Sequence, residues 1–192
     1  MRSLLARSRR PLTVLASVAV MAGVYLPVGP ASDQVRVRRV VATPVPVPAF
    51  VPVSMAIPKI DLEAPIVPVQ TEPDGKMGSP KTARDVGWWE GRKAGKGNVL
   101  LAAHHDWNGA LGSFYRLGDL EKGDQVIVRG DGKALTYRIV WVKNYDRNTD
   151  ATELLGNDNG QVATLITCGG VFDTSAGTHA ERIVARASLV SA

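Results

Sequence analysis

Residues 163–170 read Ala-Thr-Leu-Ile-Thr-Cys-Gly-Gly and contain the only cysteine of the chain, Cys168. Every second residue from Thr164 to Cys168 falls on one face of an extended chain, so the stretch predicts a β-strand. Two glycines follow, and they predict that the strand ends there in a sharp turn. A thiol at the mouth of a strand suits a nucleophile, whereas a free cysteine is commonly a small buried apolar residue. From this stretch alone both interpretations of Cys168 stay open.

Alternation of this kind recurs along the chain on both sides of the strand. It predicts strands at Gln125–Arg129, Leu135–Val142 and Arg182–Leu189, with a hairpin turn at Asp131-Gly132. Gly87–Arg92, which carries two tryptophans between glycines, is predicted to be a loop. No helical period is found beyond the N-terminal segment, and many short strands are typical of an all-β barrel or sandwich.

The N-terminal segment differs in composition from the rest of the chain. Four arginines within residues 1–10 precede a strongly apolar run, Leu12–Val28, which is short for a membrane span and long for the apolar region of a signal peptide. We expect an apolar helix that stays as an uncleaved anchor, with the arginines in the cytoplasm; a cleaved secretory signal is the alternative. Residues 1–32 would form this segment, 33–55 a proline-rich extracellular linker, and 56–192 the folded domain.

The charge distribution argues against nucleic acid as a partner. The net charge is +5, but seven of the 23 basic residues and one of the 18 acidic residues lie in the first 40 positions. The folded domain is therefore slightly acidic. A basic surface for nucleic acid is not supported.

Both interpretations of the N-terminal segment place the folded domain outside the cytoplasm, and this favours a chemical role for the cysteine. A single cysteine forms no intrachain disulfide, and an unpaired thiol in an oxidising compartment is exposed to oxidation, so its presence needs a reason. A thiol attacks as the thiolate and needs a base or a cationic neighbour. Three histidines are candidates: His104, His105 and His179. Neighbouring residues on a strand face opposite ways, so His104 and His105 cannot both face the thiol, and the pattern does not select between them.

Two more residues complete the candidate chemistry. Asp106 could orient an imidazole or cap the turn before Asn108-Gly109. Arg182 follows Cys168 after a spacing that allows a loop and a neighbouring antiparallel strand, which would put the guanidinium beside the thiol to stabilise an oxyanion. The histidine and cysteine spacings match no zinc pattern, and no phosphate-binding loop is found. We therefore expect no cofactor and no metal.

Thr164-Leu-Ile-Thr-Cys168 resembles the Thr-Leu-x-Thr-Cys signature of the sortases, the cysteine transpeptidases of Gram-positive surfaces. The order His104, Cys168, Arg182 is the order found in that family. The similarity runs from about Ile57 to Leu189 and includes Asp85-Val-Gly-Trp-Trp. The Cys-Gly-Gly and Gly-Trp-Trp runs look most like class F sortases, with classes D and E as nearby possibilities.

This resemblance implies an eight-stranded sortase-type β-barrel with short helical turns, and a set of roles. Cys168 would attack after the threonine of a Leu-Pro-x-Thr-Gly-like sorting signal, His104 would act as general acid and base, and Arg182 would hold the substrate or the oxyanion. Thr167 would help to shape the surroundings of the substrate threonine. The family pattern Gly-His-x-Asp aligns with Ala103-His104-His105-Asp106, which selects His104 and leaves His105 as the alternative.

The resemblance also implies partners and a location. The partners would be proteins carrying a sorting signal, an amine acceptor from a peptidoglycan precursor or another surface protein, and the membrane through the N-terminal segment. The enzyme would be a single-pass membrane protein with an extracellular catalytic domain. Two other functions use the same residues: a catalytically idle barrel that binds surface peptides, and a peptidase that passes the acyl group to water.

Overall fold

The computed structural model describes residues 47, 49–150, 155 and 160–192. The predicted apolar helix and anchor at residues 12–28, and most of the predicted linker, lie outside these residues. Within the described residues, no helix is long and apolar enough to cross a membrane.

Eight strands close into a barrel around one hydrophobic core. The strands of the described residues are β1 (Ser54–Ile57), β2 (Leu62–Val69), β3 (Val86–Trp89), β4 (Asn98–Ala102), β5 (Asp106–Trp107), β6 (Ala110–Leu111), β7 (Gln125–Gly130), β8 (Lys133–Asp146), β9 (Val162–Asp173) and β10 (Thr178–Ser191). Their order around the barrel is β1-β2-β3-β4-β9-β10-β8-β7, and a two-stranded hairpin, β5-β6, lies outside it. The predicted eight-stranded all-β barrel is confirmed.

Side-chain alternation fills the barrel interior. On β8 the apolar side chains of Leu135, Tyr137 and Ile139 are buried, while the residues between them are less buried or exposed. The Tyr137 hydroxyl accepts a hydrogen bond from the Gly95 N–H at 2.9 Å. Because a buried polar group needs a partner, this bond lets a tyrosine occupy the interior.

Two strand predictions were wrong, and both errors came from glycine. β9 does not end at Cys168 but continues to Asp173. Gly169 packs so tightly against Ile183 of β10 that a Cβ would lie 2.6 Å from its side chain, and a register shift in the β9–β10 pairing follows. The glycines therefore let β9 bend against β10 instead of ending it.

The second error concerns Gly87–Arg92, which was predicted to be a loop. Val86–Trp89 form strand β3, paired in parallel with β2 and antiparallel with β4. Aromatic residues favour strands, and Trp88 is buried, so sheet pairing outweighs the flanking glycines here.

The end of the proline-rich stretch packs against the barrel. Phe50 is 1% exposed and belongs to the core, and it pairs with Ala94 in an isolated bridge. The Val53 N–H donates to the carbonyl of Arg129 at 2.8 Å. The core thus reaches back to Phe50, and β1 begins at Ser54, shortly before the expected domain start at residue 56.

A tight turn joins β9 to β10 and is held by one carboxylate. Asp173 accepts hydrogen bonds from the Ser175 hydroxyl at 2.6 Å, the Ala176 N–H at 3.2 Å and the Arg147 guanidinium at 2.9 Å. These donors, the Ser175 hydroxyl foremost, lower the pKa of Asp173 to about 2. The ionised carboxylate therefore stabilises the turn.

We predict that Gly130→Ala destabilises the fold by about 1–3 kcal/mol, the usual range for overpacking. An alanine Cβ at this position would lie 2.1 Å from the carbonyl oxygen of Val51 and 2.7 Å from the Phe50 ring, so the docked segment must move. Gly118→Ala is the matched control, because its Cβ would make an ordinary 3.5 Å contact. Urea denaturation measures the difference, and equal stability of the two variants would contradict the docking of Phe50.

Stability should also depend on the charge of Asp173. Because its folded-state pKa is depressed, its contribution is present above about pH 4 and is lost as the pH falls through about 2. Asp173→Asn should lower the urea midpoint near pH 6, and the gap to the unchanged protein should close towards pH 2. Asp131→Asn, in the exposed β7–β8 turn, is the control; a gap for Asp173→Asn that did not vary with pH would rule out the charge as its cause.

Candidate active site

Cys168 lies on β9 between two partner strands. β4 pairs with β9 in parallel, and β10 pairs with it antiparallel, in a register that sets Arg182 directly opposite Cys168. The thiol is free and half-buried. Directly opposite residues in an antiparallel pair project on the same face of the sheet, so Arg182 lies on the same face of the sheet as Cys168.

The chain around His104 is fixed by backbone contacts from both sides. The Ala103 N–H donates to Ile166 at 3.2 Å, and the Thr167 hydroxyl donates to the Ala103 carbonyl at 2.8 Å. Gly112 packs against the other side, where a Cβ would lie 1.9 Å from the His104 carbonyl oxygen. Since only glycine fits there without a backbone shift, the β4–β5 connection is held beside β9.

The His104 side chain has two contacts of its own. Its Nε2 donates a hydrogen bond to the carbonyl of Pro80 at 2.8 Å, because a carbonyl can only accept. The imidazole also stacks on Trp107, with ring centroids 4.3 Å apart. These contacts orient the ring and leave Nδ1 as the nitrogen that can exchange a proton with a bound molecule.

The Arg182 guanidinium is held by the first residues of its own strand, β10. Its Nη1 donates to the carbonyls of His179 at 3.1 Å and Glu181 at 2.8 Å, and Nη2 approaches the Thr178 hydroxyl at 3.5 Å. A planar guanidinium held in this way is already oriented and loses little conformational entropy when it binds an oxyanion.

One small cavity brings the sequence candidates together. It has a volume of about 160 Å³, and its lining includes His104, Thr167, Cys168 and Arg182. A larger cleft of about 750 Å³ shares Arg182 with it. Among the described residues, Met77, Ile166 and Arg182 line both.

The neighbouring histidine belongs to a different group of side chains. His105 donates from Nδ1 to Asp106 at 2.8 Å, and Asp106 also lies 2.8 Å from His179 Nε2. The hydrogen bond from His105, followed by that from His179 and the charge of both imidazoles, lowers the pKa of Asp106 against an opposing effect of burial. Asp106 therefore orients His105 and His179, and His105 is absent from the described lining of the small cavity.

Sequence reasoning did not find several of these contacts. Pro80 precedes its partner His104 by 24 residues, and His179 follows Asp106 by 73. Neither spacing is a motif, so no local signal identifies these pairs. The stacking of Trp107 on His104 has only a weak signal, an aromatic residue close to a candidate histidine.

Comparisons with known proteins agree with this architecture. The sequence model of the sortase domain family matches residues 55–190, well over half of the chain. No curated protein sequence matches the chain.

Several solved structures share the fold. Sortase A from Listeria monocytogenes superimposes with a TM-score of 0.58 at 22% identity, over 74% of this chain and 88% of that one. SrtA sortase from Actinomyces oris gives a TM-score of 0.59 at 19% identity, over 76% and 87%. Sortase C1 from Streptococcus agalactiae gives 0.55 at 20% identity, over 73% and 67%. Given the family match and this shared barrel, the chain belongs to the sortase family of cysteine transpeptidases.

Proposed function

We propose that this sortase cleaves a Leu-Pro-x-Thr-Gly-like sorting signal after threonine and transfers the acyl group to an amine. The observation that supports the proposal is that His104, Cys168 and Arg182 line one cavity. These three carry the family's histidine, cysteine and arginine at the positions where its signature aligns. The class F-like assignment rests on the Cys-Gly-Gly and Gly-Trp-Trp runs alone.

The first half-reaction forms a thioester. The Cys168 thiol gives its proton to His104, and the resulting thiolate attacks the carbonyl carbon of the substrate threonine, so that the carbonyl oxygen becomes an oxyanion beside the Arg182 guanidinium. The bond to the following glycine then breaks, and His104 gives a proton to the leaving amine. The products are a threonyl thioester on Cys168 and a free glycyl amine.

The second half-reaction reverses these roles. The acceptor amine attacks the thioester carbon, and His104 takes the proton that the amine loses. The carbon–sulfur bond breaks and returns the electron pair to the Cys168 thiolate. A new amide bond joins the threonine to the acceptor, which is a peptidoglycan precursor or another surface protein.

The larger cleft is suited to the peptide that precedes the scissile bond. It meets the catalytic cavity at Arg182 and extends past Trp89 to Arg147. We assign Thr167 an indirect part, because its hydroxyl is bonded to the Ala103 carbonyl and thereby ties the His104 segment to β9. It shapes the threonine subsite by position.

The cellular setting follows from the sequence. Residues 12–28 would anchor the protein in the cell membrane, with the barrel on the outer face. The proline-rich stretch would act as a short extended spacer up to the point where Phe50 enters the core. Sorting-signal proteins and the amine acceptor would meet the enzyme at this surface.

We predict that the full-length chain in mild detergent, given Leu-Pro-x-Thr-Gly peptides and triglycine, forms the threonyl-triglycine product seen by mass spectrometry. Cys168→Ala should abolish it, because no thioester can form. Cleavage with water as the sole acceptor would indicate a hydrolase, and no reaction with a full panel of signal peptides would favour an idle binding barrel.

Alanine variants of the two adjacent histidines, His104 and His105, test which of them is the general acid and base. His104→Ala should lower kcat/KM by about 10²–10⁴-fold, the usual contribution of a general acid and base. The loss of kcat/KM in His105→Ala should be at least tenfold smaller than in His104→Ala. The His105 ring is hydrogen-bonded to Asp106 and does not line the cavity. The reverse order of losses would transfer the role to His105.

Arg182 has its own test. Arg182→Ala should lower kcat by about 10²–10³-fold, as removal of an oxyanion donor does. Arg182→Lys should recover part of this loss, since it keeps the charge but not the planar fork. Arg138→Ala, an exposed arginine of β8 that donates to the Gly123 carbonyl, is the control. Equal effects at the two arginines would remove Arg182 from the catalytic machinery.

A further inference from the structure

Three side chains converge beside the catalytic cavity without lining it. His105 and Asp106 directly follow His104, and His179 comes from the start of β10. Asp106 Oδ2 lies 2.8 Å from His105 Nδ1 and 2.8 Å from His179 Nε2. The three atoms all lie within 4.8 Å of one another, and the two imidazole centroids are 5.1 Å apart.

The hydrogen bond on the far side of His179 decides what its Nε2 can do. His179 Nδ1 lies 3.1 Å from the carbonyl oxygen of Gly170, which can only accept, so Nδ1 carries a proton. Nε2 is therefore the nitrogen of His179 that a cation bound beside Asp106 would meet, and it lies 2.8 Å from the carboxylate oxygen.

We propose that His105, Asp106 and His179 bind a divalent transition-metal ion of the Zn²⁺ type. Two imidazole nitrogens and a carboxylate oxygen are a donor set that Zn²⁺ takes in sites with an open fourth position for water. The bond from His179 Nδ1 to the Gly170 carbonyl is the outer contact typical of metal-bound histidine, where it fixes the tautomer and the ring. Sequence spacing predicts no metal site, and this proposal departs from that expectation.

The dimensions fit after small movements. Zinc–ligand bonds of about 2.0–2.2 Å in a tetrahedron separate the ligand atoms by about 3.3–3.5 Å. Two of the present separations are 2.8 Å and need to open by less than an ångström, and the third, at most 4.8 Å, needs to close by no more than about 1.5 Å. The Asp106 side chain is 44% exposed and can make such a shift.

A metal ion here would join two parts of the catalytic neighbourhood. His105 and Asp106 follow β4, whereas His179 belongs to the β9–β10 hairpin, and Phe172 of that hairpin packs edge-on against His179 at 5.3 Å. The ion would cross-link the segment that carries His104 to the hairpin that follows Cys168. Because it binds only the folded chain, it should also raise the melting temperature.

The test uses Co²⁺ as the probe and a chain without a nucleophile. The full-length Cys168→Ala protein, purified without a polyhistidine tag and freed of metal, is titrated with Co²⁺ while the visible d–d absorption is recorded. We expect one ion per chain and displacement by Zn²⁺. Since no thiol is present and no turnover is measured, the result is independent of the proposed transpeptidation.

Variants in the same background assign the ligands. His179→Gln and His105→Gln should each weaken Co²⁺ binding by at least about tenfold, a loss that even outer contacts can cause. His104→Gln is the matched control, because it changes the adjacent histidine and no proposed ligand, and it should keep the Co²⁺ affinity. Circular dichroism of the metal-free variants checks that each is folded, and Asp106→Asn, an exposed change, provides a further ligand variant.

Two results would overturn the proposal. One is the absence of a d–d band, together with an unchanged melting temperature, up to millimolar Co²⁺ or Zn²⁺. The other is a band that persists in folded His179→Gln, because His179 is the ligand that the tertiary structure brings to the cluster.

Discussion

The pairing of β9 with β4 on one side and β10 on the other is the constraint on which the site depends. It brings Cys168 opposite Arg182 and brings the end of β4, with His104, beside the same strand. Side chains on a strand alternate, so a slip of one residue in either register would turn Arg182 or the His104 segment to the wrong face. The backbone hydrogen bonds of the two ladders therefore set the geometry of the cavity before any side-chain contact does.

Side-chain contacts then separate the two adjacent histidines. His104 donates to the Pro80 carbonyl and stacks on Trp107, which keeps its ring at the cavity. His105 turns to Asp106, whose carboxylate also holds His179. The chain thus builds two polar centres from consecutive residues: His104 lines the cavity that holds the thiol, and His105 and Asp106 meet His179 of the β9–β10 hairpin.

Strand periodicity predicted much of the barrel and failed where pairing outweighs local preference. The alternation at Leu135–Val142 and Arg182–Leu189 identified the cores of β8 and β10. One face of β8 is buried, whereas residues 184–187 of β10 are buried on both faces. Gly169 and Gly170 predict a strand end, yet β10 supplies backbone partners on both sides of them and carries β9 on to Asp173. Local sequence preference does not depend on which strand pairs with the segment, so the sequence alone underestimated the length of β9.

The sequence by itself determined the β class, the family resemblance and the candidates Cys168, His104 and Arg182, because these depend on residue types, spacing and period. Only the tertiary structure decided which side chains meet. The contacts of His104 with Pro80 and of Asp106 with His179 join residues 24 and 73 positions apart. Residues so far apart in sequence are brought together by the strand pairing of the barrel and not by a local pattern. For that reason the His105–Asp106–His179 cluster could be found only in the folded chain.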